Sequence, residues 1–267
     1  MAQAPPVRVE GLPREVLPHG LFSVLQLRPS PEEREAASGV VWQAVGCDPA
    51  SGYDDLGCYD IDGVLVEDPE TFDPHFNDPC LVGQATPFTV VGSALSHMPG
   101  RDEAREVATA ALLAGEQSQA ERALWRRLAL QATDVHPSGA LDPYQALAAL
   151  EQWLGAEYGA LGAAHGDRGA VSLLSKRVEA KGPRLLTRIG TPVVAGGGYP
   201  GTSPAGAAAA TGETWLMASP ALFGYRGQVF YSTARDHAHN DSYALALRNY
   251  VVGFDPCGVA AVRMNID

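Results

Sequence analysis

The chain lacks the features that mark several common protein classes. It has no run of about 18 apolar residues, so no helix is expected to cross a bilayer. Lysine is nearly missing, with Lys176 and Lys181 alone, and 19 Lys plus Arg stand against 31 Asp plus Glu for a formal charge of −12. An electrostatic grip on nucleic acid is therefore not expected. Met1 to Gly20 lacks the basic start and apolar middle of a secretory signal, which predicts a protein made and kept inside a cell. Cys47, Cys58, Cys80 and Cys257 form no CxxC pair and no cluster with histidine. Neither a zinc site nor a disulfide scaffold is expected, and all four read as reduced thiols. No Gly-x-Ser-x-Gly surrounds a serine, and neither lysine lies in a recognisable catalytic string. No repeat of roughly 20 to 50 residues occurs, which excludes solenoids and propellers.

What is present is apolar content: 46% of 267 residues is enough for a substantial core and excludes wholesale disorder. Met1 to about Val40 is rich in Pro, Glu and Arg, with apolar residues only around Leu21 to Leu27, and reads as an arm. Cys47 to Cys80 holds ten Asp or Glu, no Lys or Arg, and Asp-Pro steps at 48, 68, 73 and 78. Each proline disfavours helix in the residue before it, so this is expected to be an extended acidic loop or hairpin. Short strands at Val40 to Val45 and Pro87 to Ser93 would let it leave and return beside itself.

Arg101 to Ala132 changes to Ala, Glu, Gln, Leu and Arg, with Val107, Ala110, Leu113, Ala120, Leu124 and Leu128 at helical intervals. One long amphipathic helix is predicted. Asp142, Pro143 and Gln145 announce a second, with Leu147, Leu150 and Leu154 on one face and Gly159 or Gly162 at its end. Val171 to Val178 is a candidate third helix, and Arg184 to Ala195 a strand pair interrupted by Gly190. Gly196 to Gly212, with almost no side chains to pack, is expected to be exposed and mobile. Strands are predicted at Thr214 to Ser219, Gln228 to Thr233, Ser242 to Phe254 and Val259 to Met264, with a polar turn over Ala234 to Asp241. Helices in the middle and strands at the end make the class α+β.

The sharpest enzyme-like string is Asp60-Ile61-Asp62-Gly63-Val64, which resembles the signature of haloacid-dehalogenase-type phosphatases. That chemistry needs a nucleophile at the end of a buried strand beside a metal. Leu56 to Tyr59 makes a poor strand, and Gly166-Asp167 has no second Asp four residues on. In a segment with ten acids a solvated loop is the preferred reading. A calcium loop fails because Cys58 and Pro69 fall on ligand positions. Ala195 to Gly201 is no phosphate cradle, since neither Lys-Ser nor Lys-Thr follows. Asp236-His237-Ala238-His239-Asn240-Asp241 has metal-binding residue types but no identifiable third ligand.

The succession of parts resembles the Hong Kong 97-type capsid fold of tailed bacteriophages and encapsulins, over nearly the whole chain. Three stretches carry the likeness. Leu185-Leu186-Thr187 leading into Gly190-Thr191-Pro192-Val193-Val194 looks like the strand pair of the axial domain. Asn240 to Phe254, then Asp255-Pro256 and Val259 to Val262, looks like the closing strands. The long helix, with Glu121 to Trp125 towards its end, is similar in placement to the spine helix. The resemblance implies an arm at 1–40, an extended loop at 41–98, a peripheral domain with the spine helix at 99–136, an axial domain at 137–212 and returning strands at 213–267.

It also implies a structural shell subunit with no catalytic activity, cofactor or metal, assembling as hexamers and pentamers of an icosahedral head. Such a head encloses double-stranded DNA without reading its sequence, and its partners are copies of itself with scaffold, portal or decoration proteins. An encapsulin-like nanocompartment shell is the alternative, and the phosphatase a third. A covalent crosslink through a loop lysine is not expected, because the loop has none. An arm and acidic loop that bury little within one subunit need a neighbour to receive them. Asp54, Asp55, Asp60, Asp62, Glu67 and Asp68 are the candidate loop contacts, and Arg122, Arg126, Arg127, Arg226 and Arg248 their candidate partners.

Overall fold

A computed structural model describes residues 15–30, 32–43, 47, 82–96, 101–237, 239 and 241–267. The acidic stretch after Cys47, with its Asp60–Asp62 pair, lies outside the described residues. In chain order the elements are β1 (Leu27–Pro29), α1 (Arg34–Ser38), β2 (Val40–Gln43), β3 (Val82–Ala85), β4 (Phe88–Ser96), α2 (Arg101–Gln131), β5 (Ala132–Asp134) and α3 (Pro143–Trp153). There follow β6 (Ala163–Asp167), α4 (Arg168–Leu173), β7 (Val178–Lys181), β8 (Arg184–Thr187), β9 (Pro192–Gly196), β10 (Glu213–Ser219), β11 (Leu222–Asp236), β12 (Asp241–Phe254) and β13 (Val259–Asn265).

Two sheets share one helix. A mixed seven-stranded sheet runs β5-β13-β10-β6-β9-β8-β7, and a four-stranded one runs β1-β11-β12-β4. The strands at the centre of the larger sheet are near-continuous apolar runs because both of its faces are covered. Val193, Leu216 and Val262 point to α3 and α4 and pack with Leu147, Leu150 and Val171. Val194, Trp215, Met217 and Ala261 point the other way and pack with Leu21, Leu124, Trp125 and Leu128. Asp142 caps α3 through the Tyr144 and Gln145 amides, and Gly159 at φ +66° ends the π turn that extends it.

The 31 residues of α2 span about 46 Å at 1.5 Å each, long enough to serve both sheets. Its C-terminal half belongs to the core just described. Its N-terminal half lays Ala104, Ala108 and Leu112 on Val90, Ala244, Ala246 and Tyr250 of the smaller sheet. The approach is close: a side chain on Gly92 would collide with the Ala108 carbonyl and the Leu112 amide.

Several expectations change. The described part of the arm packs on the body: Leu21 is fully buried, Leu25 nearly so, and β1 adds a parallel strand to β11. The short strands flanking the acidic stretch do not pair with each other; β2 pairs with β3, while β4 pairs with β12. The third helix starts three residues earlier, because the Asp167 carboxylate accepts the Ala170 amide and caps it there. The β11–β12 turn is shorter than expected, with pairing continuing to Asp236 and Asp241.

Gly196, Gly198, Tyr199 and Gly201 are buried, and the rest of that loop is half-buried or exposed. These glycines are there for close packing: a Cβ on Gly198 would strike the Ser118 carbonyl, and Tyr199 stacks into the core 5.0 Å from Trp125. The cysteines are not all reduced, since Cys47 and Cys257 form a disulfide across 210 residues of sequence.

Candidate assembly surface

The α2 helix fixes neighbouring elements through three buried or half-buried groups. Glu116 accepts a 2.7 Å bond from Arg248 and another from the Tyr250 hydroxyl, tying the helix to β12. Burial pushes the Tyr250 phenol up, and the Glu116 carboxylate adds to the rise. Glu121, fully buried, accepts from the amides of Leu21 at 3.0 Å and Gly198 at 2.7 Å, so one carboxylate holds the arm, the helix and the glycine turn together. Its burial outweighs those bonds and raises its pKa. Arg127 donates to the carbonyls of Val252 and Thr86 and to the Thr86 hydroxyl at 2.9 Å.

A polar row lies inside the larger sheet. His165 is 2.8 Å from the Tyr199 hydroxyl on Nδ1 and 2.8 Å from the Ser219 hydroxyl on Nε2. Burial drives its pKa down to about 3, so the imidazole is neutral at ordinary pH. Serine beside histidine is the pairing of a nucleophile and its base. Here Ser219 is fully buried and donates to the Pro220 carbonyl at 3.0 Å, so its hydroxyl braces the chain instead of facing a substrate.

The most unusual surface is the side of the four-stranded sheet turned away from α2. Register places Val91, Ser93 and Leu95 of β4, Leu247, Leu245 and Tyr243 of β12, and Phe230, Ser232 and Ala234 of β11 on this side. Val91 is 51% exposed and Leu245 38%, with Leu95, Phe230 and Tyr243 in between. A contiguous apolar face of this kind, open in the single chain, is a candidate contact surface. Tyr231, on the helix side, is held by Arg105 at 4.3 Å from its ring and by Thr109 at 3.3 Å from its hydroxyl.

Of the arginines singled out in the sequence, Arg122, Arg126 and Arg226 are exposed. Arg127 and Arg248 are bound within their own chain. Asp54, Asp55, Asp60, Asp62, Glu67 and Asp68 lie outside the described residues. Asp236 and His239 form an exposed pair at 2.7 Å at the β11–β12 tip, and among the described residues no group of three His, Cys, Asp or Glu is placed to hold a metal. Sequence reasoning missed the apolar face because β12 read as an apolar strand, and the alternation of alanine with larger side chains at 243–247 was its one signal.

No protein-family model matches the chain, and no curated protein sequence does. Solved structures do match. A chain of Mycobacterium phage Che8 superposes with a TM-score of 0.53 at 14% identity, over 97% of this chain and 96% of that one. The holo-SrpI encapsulin complex of Synechococcus elongatus PCC 7942 gives 0.54 at 9% identity, over 98% and 93%. The capsid of Ralstonia phage GP4 gives 0.52 at 8% identity, over 98% and 95%. The fold is therefore α+β of the Hong Kong 97 type, matched over nearly the whole chain.

Proposed function

We propose that this chain is the subunit of a closed protein shell, the major capsid protein of a tailed double-stranded DNA bacteriophage. The observation that carries the reading is the agreement over 98% of the chain with a phage capsid subunit, with nearly all of that subunit covered in return. A lone enzyme on this fold would have no use for the apolar sheet face; a symmetric assembly supplies sister copies to cover it. Pairing of the acidic residues 54, 55, 60, 62, 67 and 68 with Arg122, Arg126 or Arg226 of a neighbour is part of the same reading.

On this reading the chain has no catalytic role, self-associates into hexamers and pentamers, and resides in the virion. Scaffold, portal and decoration proteins are its further partners, and the domains follow the divisions given above. The −12 charge suits a wall that encloses DNA without clinging to it. Negative-stain microscopy of the purified protein is expected to show shells, capsomers or sheets; a uniform monomer at high concentration overturns the reading. The likeness to an encapsulin favours a nanocompartment shell as the second reading. Particles from the native source holding an enzyme and no DNA would select it.

A further inference from the structure

We propose that Cys47 and Cys257 form a redox-set clamp on the β2–β3 ribbon, open as two thiols in reducing solution and closed by exchange with a small-molecule disulfide. The ribbon is four residue pairs long and belongs to neither sheet. Two-stranded ribbons of this size are marginal by themselves. Its non-covalent hold on the body is concentrated at one end, where Ala85 is buried against Gly253 and Arg127 bonds to Thr86 just beyond β3. Trp42 meets the edge of Phe223 with ring centroids 4.5 Å apart. A cleft of about 350 Å³ separates much of the rest of the ribbon from Leu130, Val252 and Pro256.

The disulfide supplies what packing does not. Cys47 lies four residues beyond the end of β2, and Cys257 sits in the turn between β12 and β13, so the bond fastens the ribbon's outer end to the closing strands. Both cysteines are half-buried, within reach of a small thiol or disulfide. In closure one cysteine thiolate attacks glutathione disulfide and expels a glutathione thiolate, and the second cysteine then displaces the other. The two cysteine sulfurs lose two electrons in all, the two glutathione sulfurs gain them, and the two cysteine protons end on the released thiols. This device concerns the single chain and holds whether or not shells form.

The test uses the full chain treated with glutathione disulfide or with a phosphine reductant. Digestion without reductant is expected to yield one linked peptide joining Cys47 to Cys257. Hydrogen exchange at Val40–Gln43 and Val82–Ala85 is expected to quicken on reduction by about tenfold more than at β10 and β13. Cys257→Ser is expected to show the fast ribbon without reductant; if that variant does not fold, the wild-type comparison decides. A peptide linking Cys47 to Cys58 or Cys80, an unchanged ribbon, or an equal rise across both sheets each overturns the clamp. Particle formation is scored separately by microscopy. Shells with an unresponsive ribbon defeat the clamp alone, and a responsive ribbon without shells defeats the shell reading alone.

Discussion

The two sheets are made from similar strands and end in opposite states. The seven-stranded sheet has α3 and α4 on one face and the second half of α2 on the other, and its central strands are buried throughout. The four-stranded sheet has α2 on one face and, on the other, open apolar side chains over the half that holds Leu95, Tyr243 and Leu245. One is finished within the chain. The other is half finished, and the alternation along β12, with Ala244 and Ala246 inward and Tyr243, Leu245 and Leu247 outward, shows where the unfinished half begins.

The sharpest way to break this contrast is the same substitution in each sheet. Met217→Asp puts an unpaired carboxylate at a fully buried position, a cost of several kcal/mol against a total stability of about 5–15 kcal/mol. Insoluble expression or a melting temperature more than about 10 °C lower is expected. Leu245→Asp on the open face is expected to move melting by no more than about 2 °C while abolishing assembly. Normal particles from Leu245→Asp would show that the open face is not a contact.

A smaller effect separates the ways the sheets are fastened. Arg248→Met leaves Glu116 partly buried without its cation, at a cost of about 3 kcal/mol in a chemical melt. A double variant that also carries Glu116→Gln should recover part of the loss. Smallest per step is the acid response of the larger sheet. His165 titrates at about 3 folded against 6.5 in the open chain, so the folded form binds fewer protons between those values. Its stabilising contribution is complete above pH 6.5 and falls by about 1.4 kcal/mol per unit as pH drops towards 3. The pH slope of the melting temperature between 6.5 and 4 should flatten in His165→Gln.

Much of the fold is legible in the sequence where local signals and burial agree. The α2 helix ends within one residue of expectation, the Asp142 cap holds, and β10, β12 and β13 lie within one residue of their expected bounds. The misses come from contacts distant in sequence. The first half of β11, which holds Gly224 and Gly227, begins six residues before the expected Gln228. The Leu25 and Leu27 side chains pack closely on Gly224, and the Glu33 carboxylate lies over Gly227, so a Cβ at either site would have to displace a side chain. Tyr199, the lone aromatic in a glycine run, was the signal that the turn is buried. The disulfide had no signal, since a separation of 210 residues leaves no spacing pattern. For the open face, strand positions were legible and orientation was not, because register decides which side each residue takes.

The shared helix has a mechanical consequence. A rod of about 46 Å fixed to both sheets converts a one-degree tilt at one end into a displacement of about 0.8 Å at the other. Buried attachments at Leu112, Glu116, Glu121 and Leu128 leave no slack along it for independent rocking. In the shell proposed above, differences in curvature between neighbouring sites would then be absorbed at the margins of each subunit, with its stiff middle carried through unchanged.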